Sequence, residues 1–437
     1  MIRKSSVALL IVLVAGCGVE FSHDRPYVAD GIEDRTGHGL GPAAKPGEFS
    51  LPPDVCVEDG LSDDEAVALA LWNNAQFQAD LASLGFARAD LIEANMLPNP
   101  IFSLLFPVGP KLLEMKLNLP AEVLWQRPRR VAAAKIDAQS VSENLIQHGL
   151  GLIRDVRTAL ADLWLTREQA RLTEEDAEIR KQIADLAKRR LEAGDISELT
   201  ASVAQVDALQ AADASIRSSK EAVVAGQHLV ALLGLAMEEP SVELEPVEVD
   251  PVETASVDEL LKTALAARPD LRVAELRIEA AGRRIGWEKS RVYNFIAVID
   301  AKDKGEDALT VGPGFQVDIP IFNQNNGRIA RAKAEMEQAA RQYEAVRQNI
   351  VLQVREAYAR YSAAHREYDL WRGSVVPSLE NAADLAQRSF DTGDVSYLLV
   401  LEARRKVLEA RMRRAELSAQ LRRSTAELNY SVGMKVI

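Results

Sequence analysis

The residues best suited to metal or proton chemistry are five histidines, at positions 23, 38, 148, 228 and 365, and none of them stands at the paired spacing with which a helix or loop holds a metal ion. Neither a Gly-rich phosphate loop nor a nucleophile motif accompanies them. The sequence therefore points to no catalytic residue, no metal site and no cofactor. Only two cysteines occur, Cys17 and Cys56, too few for a disulfide framework. The formal charge of −13 over 437 residues speaks against nucleic acid as a partner, since proteins that bind it are normally basic. An acidic excess suits cations in transit, but a charge excess is usually just a solvated surface. Whatever this chain does, it does by architecture.

That architecture is written twice. Leu61-Ser62-Asp63-Asp64-Glu65 shares its Ser, Asp and Glu with Ser256, Asp258 and Glu259, an offset of 256 − 62 = 194. Leu117-Asn118-Leu119-Pro120 returns as Val317-Asp318-Ile319-Pro320, and Gly194-Asp195-Ile196-Ser197 as Gly393-Asp394-Val395-Ser396, at offsets of 200 and 199. So steady an offset implies one duplicated unit, giving a first repeat over 61–240, a linker over 241–255 and a second repeat over 256–437.

Each repeat reads as helix, two strands, long helix, tight turn and return helix. A helix is expected from Ser62, with Glu65 at the capping-box position, to Met96 before Pro98-Asn99-Pro100. Strands are expected next at Ile101–Phe106 and Lys111–Leu119, separated by a turn at Pro107-Val108-Gly109-Pro110. From Arg130 to Glu192 no proline intervenes, which predicts a helix on the order of 90 Å long. The second repeat predicts a helix from Ser256, strands at Phe295–Asp300 and Val311–Phe322, and a long helix from Arg328 to Phe390. Return helices are expected over Ser197–Leu233 and Ser396–Tyr430, with apolar residues at three- and four-residue steps that suit coiled-coil walls.

The amino terminus supplies a location. Arg3 and Lys4 precede an apolar run, Val7 to Val14, too short to span a bilayer and suited to a secretory signal. It ends in Val14-Ala15-Gly16-Cys17, which resembles the lipobox of bacterial lipoproteins and makes 1–17 a signal peptide with Cys17 the lipid-attachment residue. Gly18 in place of aspartate favours, by that resemblance, the outer membrane. Residues 18–60, with their glycines and prolines at 37 to 53, read as an extended tether. No later stretch is apolar enough for a transmembrane helix, so a membrane would have to be crossed by strands. Phe315, Val317, Ile319 and Ile321 alternate with Gln316, Asp318 and Pro320; Met115, Leu117 and Leu119 alternate with Lys116 and Asn118. Such alternation serves a membrane barrel strand, and a half-buried strand of a soluble sheet as well. Four strands cannot close a barrel, so a barrel would need several chains.

This plan resembles the outer membrane efflux proteins of the TolC family across nearly the whole mature chain. Pro320-Ile321-Phe322-Asn323-Gln324-Asn325-Asn326-Gly327-Arg328-Ile329-Ala330 is similar to the strand-to-helix junction of the CzcC-like, heavy-metal-efflux branch, and Pro98-Asn99-Pro100 to the family's entry into its first strand. The second copy has Val292-Tyr293-Asn294 at that entry, and Gln126-Arg127-Pro128-Arg129-Arg130 lacks the junction glycine. The resemblance implies a mainly α homotrimer with a small β part: a twelve-stranded transmembrane β-barrel, four strands per chain, joined to a long α-helical coiled-coil barrel extending through the periplasm. It implies a passive exit duct, fed by an inner-membrane pump of the resistance-nodulation-division class through a periplasmic adaptor, with heavy-metal cations the favoured cargo. Export of drugs or other small molecules through the same architecture is the alternative, and a periplasmic coiled-coil strut a third reading.

By the same resemblance the two helical turns, Gly194, Asp195, Ser197, Gly393, Asp394 and Ser396, form the adaptor-docking tips. Locally, the glycines permit tight reversal and the serines can cap the return helices. Leu398 and Glu402 lie one helical turn apart, where the family carries an apolar constriction and an acidic ring. Leu399 stands where some relatives have a second acid, so a single carboxylate ring is implied; Glu402 could instead pair with Arg404 or Arg405. Lys116, Asn118, Gln316 and Asp318 would wet the barrel lumen.

Overall fold

The computed structural model describes residues 21–43, 45–53, 55, 60–106, 113–235, 254–303 and 309–437. Cys17 and the rest of the signal segment, Cys56, the Pro107 to Pro110 turn and most of the 241–255 linker lie outside these residues. The chain divides into two compact units. One comprises Met1–Val28, Leu81–Leu145 and Pro269–Val346; the other comprises Ala29–Asp80, Ile146–Arg268 and Arg347–Ile437.

The first unit is organised around one four-stranded antiparallel sheet of order β1-β2-β3-β4, with β1 Ile101–Leu105, β2 Leu113–Pro120, β3 Phe295–Asp303 and β4 Thr310–Val317. Its central pair joins strands that are far apart in sequence: Lys116 faces Asp300 and Leu119 faces Ala297. The strand ends Ile101, Pro120, Phe295 and Val317 meet at one end of the sheet, and every helix attached to the strands leaves from there. β4 stops short of the expected Phe322. Pro320 has no N–H for a ladder, and the Ile321 N–H donates back to the Ile319 carbonyl (2.8 Å), turning the chain out of the sheet.

Helices account for most of the remaining described residues. The segment expected to be an extended tether contains α1, Arg25–Thr36, whose Val28 and Ile32 are fully buried; the described residues from Gly37 to Gly60 are irregular. α1 lies so close to the next long helix that a methyl group on Gly31 or Gly149 would overlap the facing side chain, Ile146 or Ile32. The single helix expected over Ser62–Met96 is three: α2 Asp63–Asn73, α3 Ala75–Leu81 and α4 Ser83–Asn95. Asn74 makes the first break, because its Oδ1 accepts the Phe77 N–H (2.9 Å) and starts a new helix, while its Nδ2 donates to the Leu232 carbonyl (2.9 Å).

α5 runs unbroken over Val123–Glu192, 70 residues and about 105 Å at ~1.5 Å per residue. It begins earlier than Arg130, since Pro128 stands close enough to the helix start to cost only one ladder bond. α6 Glu198–Leu232 returns. In the second half α7 Val257–Ala267 and α8 Pro269–Ser290 precede the sheet, and α9 Asn326–Leu370 comes after it. The long helix expected to continue to Phe390 widens into a π-turn at Trp371–Val375 before α10 Val376–Asp391. Pro377 is the physical reason: it leaves the Gly373 carbonyl without a helical donor, and the Val376 N–H bonds instead to the Trp371 carbonyl. α11 Tyr397–Val432 returns.

In the second unit α5 packs on α11 through Leu172, Ile179, Leu401 and Leu408, with Ile183, Tyr397 and Met412 around them. Ion pairs lace the hairpins: Arg180 of α5 reaches Asp207 of α6 (3.1 Å), and Arg411 of α11 reaches Glu380 of α10 (2.8 Å). The two repeats share their punctuation. Ser62–Glu65 and Ser256–Glu259 both form complete capping boxes. Gly234 and Gly433, 199 apart, both end return helices in the left-handed conformation (φ +77° and +84°).

Candidate functional site

Three sets of residues bear on function, beginning with the sheet. In an antiparallel ladder directly opposed residues share a face, so the register assigns each side chain to one of two surfaces. One surface carries Phe102, Leu104, Met115, Leu117, Leu119, Ala297, Ile299, Val311, Phe315 and Val317, apolar along all four strands. Phe295 and Phe315 stack there at 5.6 Å. The opposite surface holds Ser103, Glu114, Lys116, Asn118, Asp300, Lys302, Thr310 and Gln316, with Ile101, Leu105, Ile296 and Val298 interspersed. Three of the four expected lumen residues, Lys116, Asn118 and Gln316, therefore share one polar face. Asp318 does not: it lies past the end of β4, where its carboxylate accepts from Asn294 Nδ2 (2.9 Å).

The polar face holds a charge quartet that sequence reasoning missed in part. Lys116 pairs with Glu114 (3.0 Å) and Lys302 with Asp300 (2.5 Å), and these pairs oppose one another across β2 and β3. Period-two spacing from Lys116 reaches Glu114; Lys302 was missed because β3 extends to Asp303 rather than stopping at Asp300. Both outer strands, β1 and β4, have an unpaired edge and expose large apolar side chains, among them Phe102 and Phe315.

At the sheet's helical end, side chains clamp each incoming helix to the outgoing one. Arg127 donates to the Asn95 carbonyl and Oδ1 (2.8 and 2.6 Å), and Arg130 donates to the Ala94 and Met96 carbonyls (both 2.7 Å), satisfying the C-terminal end of α4. In the second repeat Asn325, at φ +58°, donates through Nδ2 to the Glu288 carbonyl and Oε2 (both 2.8 Å). The arginines in the first junction thus do the clamping that an asparagine does in the second.

The tips form the second set. Gly194 and Gly393 adopt φ +82° and +85°. The Gly194 and Asp195 N–H groups donate to the Leu191 and Arg190 carbonyls (2.9 and 2.8 Å), and Gly393 and Asp394 repeat this with Phe390 and Ser389 (2.9 and 2.8 Å). Both are complete Schellman endings, in which only a residue without Cβ is at ease. Ser197 caps α6 as expected, its Oγ accepting the Thr200 N–H (3.2 Å). Ser396 occupies the equivalent N-cap position of α11, but its side chain makes no capping bond, which corrects the expectation; the second tip is instead tied by Thr392 Oγ1 donating to Asp394 Oδ2 (2.7 Å). The Tyr397 hydroxyl donates to Gln182 Oε1 (3.4 Å), twelve residues before Gly194, so both turns lie at the same end of this unit.

Just beyond the second tip is the third set. Leu401 is buried in the α5–α11 core while Leu398 is half-buried and Glu402 exposed. Arg404 donates to Gln387 (3.1 Å) and Arg405 faces Glu409 (3.6 Å), so neither of the arginines considered as partners is directed at Glu402. Among the described residues no group of three or more His, Cys, Asp or Glu is placed to hold a metal ion. Likewise no described helix is long and apolar enough to cross a membrane.

The family model for outer membrane efflux proteins matches residues 115–235 and 260–434. The chain is 25% identical over 389 residues to the cobalt-zinc-cadmium resistance protein CzcC of Cupriavidus metallidurans, covering 85% of this chain and 90% of that one. It is 25% identical over 446 residues to nodulation protein T of Rhizobium leguminosarum bv. viciae, covering 90% of each. Among solved structures, the CmeC outer membrane channel of Campylobacter jejuni has the same fold, with TM-score 0.71 at 16% identity over 90% of this chain and 91% of that one. CusC has it too, with TM-score 0.68 at 18% identity over 88% and 96%.

Proposed function

Because this chain belongs to the outer membrane efflux protein family, the TolC-like family its sequence resembles, whose members are channels and not enzymes, we propose that three copies form the exit duct of a tripartite efflux system. The observation that carries the reading is the sheet: four strands, two open edges, one face apolar except for Asp303 at its far end, and the other holding the charged and polar side chains. In lipid an open edge is untenable, because unpaired backbone groups find no water there. Three such sheets joined edge to edge make twelve strands, with the apolar face outward and Lys116, Asn118 and Gln316 inward.

The helices support the same assembly. α6 exposes Leu209, Ile216 and Val223, an apolar stripe at seven-residue spacing that a neighbouring chain's helices would cover. The recurrent capping boxes, Gly-Asp turns and terminal glycines support an internally duplicated origin, with each repeat supplying two strands and one helical hairpin. A strut without a channel would leave the amphipathic sheet unused.

In this duct the exposed tips, Gly194, Asp195, Ser197, Gly393, Asp394 and Ser396, receive the periplasmic adaptor, which joins the channel to an inner-membrane resistance-nodulation-division pump. Leu398 and Glu402 form the periplasmic gate: three leucines narrow the lumen and a single ring of three carboxylates repels itself and attracts cations. Cys17 carries the lipid that anchors the mature chain to the outer membrane. Heavy-metal cations are the favoured cargo, supported by the likeness to CzcC and by the Glu402 carboxylate. The test is growth of a deletion strain and its complemented control on zinc, cobalt, cadmium, nickel, copper and silver salts beside hydrophobic antibiotics and dyes. Selective metal sensitivity, restored by the gene, is expected; sensitivity to drugs alone would assign another cargo to the same duct.

A further inference from the structure

The helical end of the sheet carries a charge opposite to that of the rest of the chain. Across 91–100, 121–131, 283–295 and 318–331, which converge there, nine Lys and Arg stand against four Asp and Glu, a balance of +5 that leaves −18 for the remainder of a −13 chain. Most of these cations are used locally: Arg127 and Arg130 on helix carbonyls, Arg291 on Glu288 (3.3 Å), and Arg283, Arg284 and Arg331 on Glu279, Asp137 and Glu335, which lie just outside these segments (3.4, 2.8 and 2.9 Å). Arg129, Lys289 and Arg328 are different: all three are exposed, and none has a carboxylate partner among the described residues. Among the described residues Arg129 donates to the Trp125 carbonyl (2.9 Å).

The same end displays apolar side chains that no other described residue covers. Leu124, Ile319 and Ile321 are 75%, 74% and 68% exposed, and Phe322 wholly so. Two indoles accompany them, Trp125 donating to the Ser290 carbonyl (3.3 Å) and Trp287 lying under the Arg291 guanidinium (5.2 Å). Apolar and aromatic side chains next to unpaired cations, placed where an apolar sheet face ends, match a layer that is greasy on one side and anionic on the other.

We infer that this collar binds the anionic headgroups of phospholipids in the leaflet facing the helical body, an inference that rests on the barrel reading above. Ile319, Ile321 and Phe322 enter the acyl boundary, and Arg129, Lys289 and Arg328 meet the headgroup phosphates. A cation at an anionic lipid surface contributes about a 5-fold factor, and the attraction decays within a Debye length, so the selectivity is for charge and is weakened by salt.

Tryptophan quenching tests this on the full-length protein in bilayers. Trp125 and Trp287 sit at the collar, whereas Trp72, Trp164 and Trp371 belong to the other unit. The protein is reconstituted in phosphatidylcholine containing a small fraction of either phosphatidylglycerol or phosphatidylcholine brominated near the glycerol end of its chains. Brominated phosphatidylglycerol is expected to quench as though enriched at least ~5-fold at the collar, with the enrichment falling towards unity at high salt and in the triple variant Arg129→Gln, Lys289→Gln, Arg328→Gln. The Lys289→Arg variant, which retains the charge, should retain it. Equal quenching by the two lipids in the unaltered protein would overturn the headgroup inference and leave the channel standing; absence of quenching by both would remove the barrel reading itself.

Discussion

Replacing Gly393 by alanine isolates the part of the tip design that geometry states most clearly. An added Cβ at Gly393 meets no atom within 4 Å, so no packing cost arises and the whole penalty comes from φ +85°. A left-handed backbone costs an L residue with a Cβ about 1–2 kcal/mol, a factor of about 5 to 30 in the equilibrium between the intact and the opened turn. Asparagine tolerates that conformation better, so Gly393→Asn should cost distinctly less. Hydrogen exchange reads the effect directly, since the Gly393 and Asp394 amides are the donors of the Schellman bonds. Gly393→Ala is expected to speed exchange across 388–396 by about 5- to 30-fold, Gly393→Asn by less, and neither should change the buried stretch around Leu417. Gly194→Ala should behave the same way at the first tip, where φ is +82° and space is equally open. Unchanged exchange in Gly393→Ala, or equal effects of alanine and asparagine, would refute the argument that backbone conformation fixes the turn.

Packing and charge around the tip give further expectations. Leu401→Ala empties a fully buried position facing Leu172 and Ile179, and should lower stability in urea denaturation by about 2–5 kcal/mol. Asp64 is held well below the usual carboxylate range, first by the contact with His38 Nε2 (3.2 Å) and further by the charges of His38, Arg157 and Lys435, against some desolvation. A depressed carboxylate stabilises the fold above its unfolded value of about 3.9 and loses that contribution as pH falls through the folded value. The stability gap between the unaltered protein and Asp64→Asn should accordingly be full at about pH 7 and shrink below about pH 4. It should stay under about 1 kcal/mol, because the Asp64 side chain is 62% exposed and therefore screened; a gap independent of pH would contradict the assignment. Glu402→Ala should reduce cation preference in single-channel recordings without lowering stability, and unaltered conductance would count against the carboxylate ring.

How far the sequence discloses this design depends on how local each feature is. Capping boxes at Ser62 and Ser256 and the Gly-Asp turns are set by a few neighbouring residues, and all were legible. Strand alternation separated the sheet's faces because its period is the geometry of the strand itself. The break at Asn74 was not legible, since it depends partly on a carbonyl 158 residues away. Nor was the π-turn: Pro377 announces trouble in a helix, but whether the chain kinks, stops or widens is settled by packing. Helix α1 hid within a Gly- and Pro-rich stretch because Val28 and Ile32 alone carry its burial and its partner faces lie over a hundred residues on. The clamping arginines could have been suspected from Arg127 and Arg130 lying one turn apart, but their targets required the fold.

The central claim is that separate chains pool their strands into one conducting barrel. It is tested most directly by adding the purified full-length protein to a planar lipid bilayer while tracking its oligomeric state by heat-modifiable gel mobility. The account predicts detergent-stable trimers that dissociate only on heating and that open discrete, long-lived ion conductances. Monomers that never conduct, or trimers that leave the bilayer insulating, would contradict it.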